Sequence, residues 1–155
     1  PGRARALTRL FVYGVLIREL ARGRAAELVA GLAEGQAASV RGRLYAIEST
    51  ADGGWYPILL PDSPSAPGAG VVRGVLHDAR GVDWAAMDEF EDAHDGPDAE
   101  YARREIAVML DDGSATTAFA YCYARPLPSQ APEIRGGDFA AWLRETGRSP
   151  IAARE

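Results

Sequence analysis

Five acids crowd into VDWAAMDEFED, residues 82 to 92. At about 100° per residue, the helical turn, Val82, Trp84, Ala86, Met87 and Phe90 fall on one apolar arc. Asp83 stands where a side chain caps a helix N-terminus. Asp88, Glu89 and Asp92 lie outside the arc and read as a solvated face. Glu91 lies between the directions of Met87 and Trp84, so it points toward the core side. A carboxylate there is paired, protonated or at work. Two readings stand side by side: a buried ion pair with Arg103 or Arg104, and a general acid/base whose pKa is raised by apolar neighbours.

Aromatic residues supply the second set of candidates. Tyr121 and Tyr123 share a strand face with Phe119, and Tyr101 opens the strand that follows the acidic helix. Such phenols are core residues whose hydroxyls find a partner at the sheet edge, or they line a small-molecule pocket. FVYGVL, residues 11 to 16, raises a separate question, because a strand-like run is broken by Gly14. Either the chain turns a tight corner there, or something approaches the backbone closely.

Other familiar chemistry is missing. GAGVVRG at 68 to 74 precedes a strand, whereas a dinucleotide loop follows one and opens a helix. The chain has no lysine, hence no phosphate-loop lysine, and no GxSxG elbow. His77, His94 and Cys122 are the only histidines and thiol, too few for a His/Cys metal site. His77 reads as a strand residue and His94 as a solvated loop residue. The acids at 88 to 100 match no known cation-loop spacing. Neither a cofactor nor a metal is expected.

The elements that must position these groups are legible in outline. A chain of 155 residues fits one domain with a real core. Residues 1 to 7 read as a loose lead-in and 8 to 155 as the domain. Strands are expected at LTRLFVYGVL, SVRGRLYAI, WYPILLP, VVRGVLHD, EYARREIAVML and TTAFAYCYARP, with Ile106, Val108 and Leu110 on one face of the fifth and Tyr101, Arg103 and Glu105 on the other. Helices are expected at ARGRAAELVAGLAEG, at 82 to 92 and at GGDFAAWLRE. PDSPSAPGAG, residues 61 to 70, is the clearest loop. Strands outnumber helices without regular alternation, which argues an α+β fold with a mixed, mostly antiparallel sheet, curled into a small barrel. A net charge of -5 argues against nucleic acid as the main partner. There is no membrane-length apolar run and no signal-peptide pattern. One cysteine suits a reducing compartment, so a cytoplasmic location is expected. The absence of lysine and asparagine, whose codons are AT-rich, points to a GC-rich bacterial gene. The sequence does not set the oligomeric state.

Several of these segments, in this order, resemble the γ-glutamylcyclotransferase-like superfamily, the group of AIG2-like proteins and γ-glutamylamine cyclotransferases. FVYGVL is similar to its YGSL/YGTL signature. VRGRLYAI with YPILL is similar to its GxLY and YPA strands, and VVRGVLHD to its VxGxLY strand. MDEFED followed by YARREIAV resembles the LDxxEG…YxR block, and AYCYARP with IRGGDFAAWL the closing VYxY strand and SGDW helix. Together they span residues 8 to about 145. The resemblance implies a small mixed barrel with the YGxL turn at the mouth of a cavity, and it places the acid/base glutamate on Glu91. It implies that backbone amides of Tyr13, Gly14, Val15 and Leu16 hold the substrate, with Tyr101, Tyr121 and Tyr123 as further wall residues. Val15 departs from the usual serine or threonine, which removes a hydroxyl and leaves the backbone donors. The implied reaction is cyclisation of a small-molecule γ-glutamyl amide to 5-oxoproline. Two alternatives stand beside it: a binding module that kept the cavity without catalysis, and an enzyme that strips a γ-glutamyl group from a natural-product intermediate.

Overall fold

The computed structural model describes residues 8–14, 27–28, 30, 32, 35–49, 53–61, 70–94 and 96–150. Its organising element is a long strand whose side chains alternate strictly. In QAASVRGRLYAIE, Ala38, Val40, Gly42, Leu44 and Ala46 are buried and their neighbours are not, the period of a pleated strand with one face on the core. This strand, Gln36–Glu48, is β2; β1 is Arg9–Val12, β3 Trp55–Pro61 and β4 Val71–Asp78. The first half of β2 pairs with β4, from Gln36 opposite Leu76 to Arg41 opposite Val71. From Gly42 onward it pairs with β3 instead. Gly42 permits the switch: a Cβ there would stand 2.7 Å from the Leu60 carbonyl oxygen.

After β4 the chain forms the helix α1, Trp84–Glu91, then β5, Tyr101–Leu110, β6, Ala115–Tyr123, and α2, Phe139–Thr146. β5 and β6 form a hairpin paired from Tyr101 opposite Tyr123 to Met109 opposite Ala115. Its turn uses Gly113 at φ 89° and Asp112, whose carboxylate accepts from the Ser114 amide at 2.8 Å, the local chemistry that favours Asp and Gly in turns. β1 lies between β4, antiparallel, and β6, parallel. The end of β5 returns to β2 at Ser39 and Ala38. The ring β2-β4-β1-β6-β5 therefore closes on itself, and β3 hangs on the outside of β2. Closure removes exposed strand edges. The expected α+β fold with a mixed, mostly antiparallel barrel is the fold observed.

The two faces of the curled sheet bury two clusters. One holds Phe11, Val40, Leu44, Leu59, Val72, Val108, Ala120 and Cys122, with Phe139 and Leu143 of α2 packed on it. The other holds Leu10, Val12, Ile58, Tyr101 and Tyr121 under Met87 and Phe90 of α1. Each fully buried large apolar side chain stabilises the fold by about 1.5–3 kcal/mol. As the alternation in β5 predicts, Val108 belongs to the first cluster, with Ile106 and Leu110 packed on it, and Tyr101 to the second. Both helices begin at an aspartate: Asp83 accepts from the Ala86 amide at 3.1 Å and Asp138 from Ala141 at 3.0 Å.

Several element ends differ by a few residues from the sequence reading, and two have a clear cause. β1 ends at Val12, not Leu16, because Val12 opposite Val75 is its last ladder pair. β2 starts three residues before Ser39, because Gln36 to Ala38 find partners on β4. Most of the expected helix at 21 to 35 and loop residues 62–69 lie outside the described residues; within the former, 27, 28 and 30 are helical. Among the described residues no helix is long and apolar enough to cross a membrane.

Candidate active site

Glu91 is the last residue of α1, and the geometry that follows explains what it meets. Asp92 ends the helix in the left-handed conformation, φ 56°, and its amide returns to the carbonyls of Asp88 and Glu89. The Asp92 carbonyl then accepts from the amides of Glu100 at 3.1 Å and Tyr101 at 3.4 Å. Ala93 bridges to Tyr101. The loop from 92 to 100 is thus pinched at its neck, which sets the end of α1 beside the start of β5. Arg125 braces the neck, donating to the Asp98 carbonyl at 2.8 Å and to the Asp92 carboxylate at 3.3 Å. Glu91 is half-buried, and its carboxylate acts electrostatically on the phenols of Tyr13, Tyr101 and Tyr121.

Those phenols come from β5, β6 and the residue that follows β1. Tyr13 follows β1 and donates to the Tyr121 carbonyl. Tyr101 donates to the Pro57 carbonyl of β3 at 2.8 Å. Tyr121 donates to Asp88 of α1 at 2.6 Å. Tyr101 and Tyr123, partners across the hairpin, meet edge to face at 5.9 Å. Burial pushes the Tyr13 and Tyr101 phenols far above their ordinary value near 10, and both Glu91 and Glu100 push in the same direction. The Tyr121 phenol is raised as well, first by burial and then by its bond to Asp88. These hydroxyls stay protonated at any physiological pH.

Gly14 has a packing reason. Its φ is not positive, so no left-handed corner is required. A Cβ there would stand 2.3 Å from Cγ and 2.7 Å from Cδ of Pro57. The chain bends at Gly14, and its backbone is also approached closely, by the Pro57 ring. Val15 and Leu16 lie outside the described residues.

Three expectations need correction. Asp88 is not a solvated bystander: its side chain is 28% exposed, accepts from Tyr121 and lies 3.3 Å from the Arg103 guanidinium. Asp92 is likewise engaged, with Arg125 and with the Glu100 amide at 3.3 Å. The helical arc placed both outward, but β5 and β6 supply the partners of Asp88, and the residues flanking them, Glu100 and Arg125, supply those of Asp92. Arg103, offered as a partner for Glu91, pairs with Asp88 and lies over the Trp84 ring at 4.5 Å and that of Phe119 at 5.4 Å. It thereby fastens α1 to the hairpin. His94 is exposed as expected, 3.4 Å from Asp92.

Sequence reasoning missed Glu100 and Tyr56. Glu100 is a buried carboxylate, 6% exposed, and Tyr56 of β3 donates to it at 2.7 Å. The contact joins residues 44 apart, so no local period reports it. Glu100 also acts on Tyr13, Tyr101 and Tyr123. Tyr123 stands on the Glu100 side of the cluster: burial and then Glu100 raise its phenol, against Arg125, which lowers it. A cavity of about 310 Å³ lies elsewhere, between β2 and β5, lined by Val40, Arg41, Pro61, Arg104 and Ile106 among others. None of the candidate residues lines it.

Comparison with known proteins agrees with the fold. Solved structures share the fold at low identity. A mouse AIG2-like protein has a TM-score of 0.65 at 18% identity, covering 97% of this chain and 100% of that one. A gamma-glutamyl cyclotransferase has a TM-score of 0.60 at 16% identity, covering 97% of this chain and 92% of that one. YkqA from Bacillus subtilis has a TM-score of 0.58 at 20% identity; 94% of this chain is covered, and it spans only 45% of YkqA. No curated protein matches the chain by sequence. The family described as gamma-glutamyl cyclotransferase, AIG2-like, matches residues 10–142. The chain belongs to the AIG2-like gamma-glutamyl cyclotransferase family.

Proposed function

We propose that the protein cyclises an L-γ-glutamyl amide to 5-oxoproline and releases the amine. The observation that carries this reading is the placement of Glu91: a half-buried carboxylate at the end of α1, acting on the phenols of Tyr13 and Tyr101 next to Gly14. The substrate carries its own nucleophile, the α-amine, and its own electrophile, the γ-carbonyl. Glu91 removes a proton from the α-ammonium; the amine attacks the γ-carbonyl and closes a five-membered ring. Glu91 gives that proton up to solvent, takes a second from the positively charged ring nitrogen and delivers it to the leaving nitrogen, and the tetrahedral intermediate collapses to 5-oxoproline and the free amine. One base serves both steps, and no covalent enzyme intermediate forms.

Most of the acceleration in this scheme comes from holding the glutamyl chain folded. Well-oriented intramolecular attack is worth up to about 7–11 kcal/mol. The family resemblance assigns the α-carboxylate and the developing oxyanion to the backbone amides of residues 14 to 16, since successive N–H groups can form an anion site. The phenol protons are already given to protein acceptors, so the tyrosines shape the site and keep water out rather than transfer protons. Asp88, Arg103 and Tyr121 fix α1 and with it the position of Glu91.

The test is 5-oxoproline release over a panel of γ-glutamyl dipeptides and γ-glutamyl amines, with Glu91→Gln alongside. Turnover should fall by at least ~10², the scale of general acid/base help, with the thermal midpoint retained. Equal turnover in the variant would sink the mechanism. Val15, in place of the usual hydroxyl residue, favours one second reading, a binding module of the same fold. Binding of a panel compound without its consumption would establish that reading instead.

A further inference from the structure

Closure of the barrel removes the strand edge only where the ladder runs. β2 meets β5 at Ala38 opposite Leu110 and Ser39 opposite Met109, and from Gly42 onward it pairs with β3. Before Met109 the two strands part, and the cavity of about 310 Å³ lies between them. The hairpin register tells which groups β5 turns toward it. The Leu110 amide donates to the Ser114 carbonyl at 2.8 Å, and the Ala124 amide to the Glu100 carbonyl at 2.8 Å. Both contacts continue the register of Tyr101 opposite Tyr123, so the even-numbered residues of β5 bond to β6. In an antiparallel pair the alternate residues turn their main chain the other way. Glu105 and Ala107 therefore direct their N–H and C=O groups toward the cavity they line, and among the described residues no strand stands opposite them there.

Side chains give this edge a chemical preference. Arg104 and Ile106 stand on the face of β5 that carries Val108, and Arg41 lines the cavity from β2. Val40, Ile106 and Pro61 supply apolar wall. Glu105 is the only acid among the described lining residues, and its carboxylate accepts from the Thr117 hydroxyl at 3.1 Å, on the face opposite Arg104. Two guanidiniums thus border the cavity on a chain whose net charge is -5. A guanidinium fork matches the two oxygens of a carboxylate. An open strand edge takes the N–H and C=O of an extended ligand. We propose that this cavity is a binding site for an N-acylated amino acid with an aliphatic side chain. Its carboxylate meets Arg41 and Arg104, its amide pairs with the β5 edge at Glu105 and Ala107, and its side chain covers the apolar wall. The site is separate from Glu91 and does not depend on the reaction assigned there.

The probe is N-acetyl-L-leucine, titrated into the whole isotope-labelled chain and followed by amide chemical shifts. It should move the Glu105, Ile106 and Ala107 signals saturably, with a Kd of about 1 mM, the scale for so small a ligand. N-acetyl-L-leucinamide keeps the amide and lacks the carboxylate, and it should bind about fivefold more weakly, the upper end for an exposed ion pair. N-acetyl-N-methyl-L-leucine keeps the carboxylate and lacks the N–H, and it should also bind more weakly. These analogues test the contacts on the unaltered protein. Arg41→Gln with Arg104→Gln should lower the affinity for the acid to that for its amide; both side chains are exposed, so the thermal midpoint should hold. Equal affinity of the wild type for the acid and either analogue overturns the proposal. So does the absence of saturable shifts at residues 105 to 107 up to about tenfold the expected Kd, or shifts confined to the tyrosines around Glu91.

Discussion

Gly14→Ala would isolate the contact that Gly14 makes with β3. The new Cβ would stand 2.3 Å from Cγ and 2.7 Å from Cδ of Pro57, and 3.7 Å from its Cβ. Carbon atoms rest at about 3.5–4.0 Å, so the first two separations are short by about 1 Å. The obstacle is a ring, fixed in β3 opposite Ala46, with no flexible end to swing aside. Overpacking of this kind costs about 1–3 kcal/mol, and a rigid neighbour puts the expected loss near 3. Pro57→Ala removes both offending atoms and keeps the third, which is at ordinary contact distance. That substitution alone loses two buried methylenes, about 1.6 kcal/mol at ~0.8 each. The double variant should therefore be destabilised by about the Pro57→Ala loss alone, with a coupling of about 2–3 kcal/mol in favour of the pair. Urea unfolding of the four proteins measures it. Additive losses would refute the argument and return Gly14 to a role in ligand approach alone.

Two further outcomes follow from the same structure. The Tyr13, Tyr101 and Tyr121 phenols are raised above their unfolded value near 10, so above that pH the folded chain binds more protons than the unfolded one. Their contribution is complete below about pH 10 and is lost as pH rises toward the folded values, by up to about 1.4 kcal/mol per pH unit for each phenol. Thermal midpoints taken from about pH 8 to 11.5 should drop at the alkaline end, less steeply in Tyr101→Phe; midpoints that stay flat would contradict the burial of these hydroxyls. Asp92, at φ 56° with half-exposed partners, occupies the place of the glycine in the LDxxEG pattern. Asp92→Gly should be close to neutral, because relief of about 1 kcal/mol of left-handed strain offsets weak surface pairs, while Asp92→Ala keeps the strain and loses the pairs. Equal urea midpoints for the two variants would show that the helix end is unstrained.

What the sequence determined was periodic or local. VVRGVLHD and WYPILLP, read as short strand runs next to the one clear Pro/Gly-rich loop, match β4 and β3 to the residue, because strand formers and loop breakers are local signals. Asp83 and the arc of Val82, Met87 and Phe90 defined α1, because capping and turn geometry act within a few residues. The same arc singled out Glu91, a shared strand face singled out Tyr121 and Tyr123, and Tyr101 was marked by its place at the start of the next strand. What only the tertiary structure decided depends on contacts between distant strands. The bond from Tyr56 to Glu100, the ring of Pro57 against Gly14, and the engagement of Asp88 by Tyr121 and Arg103 join residues 44, 43, 33 and 15 positions apart. No periodicity connects such pairs. The closing of β5 onto β2 and the pinched neck at Asp92 bring them together, and they set the end of an acidic helix beside tyrosines from distant parts of the chain.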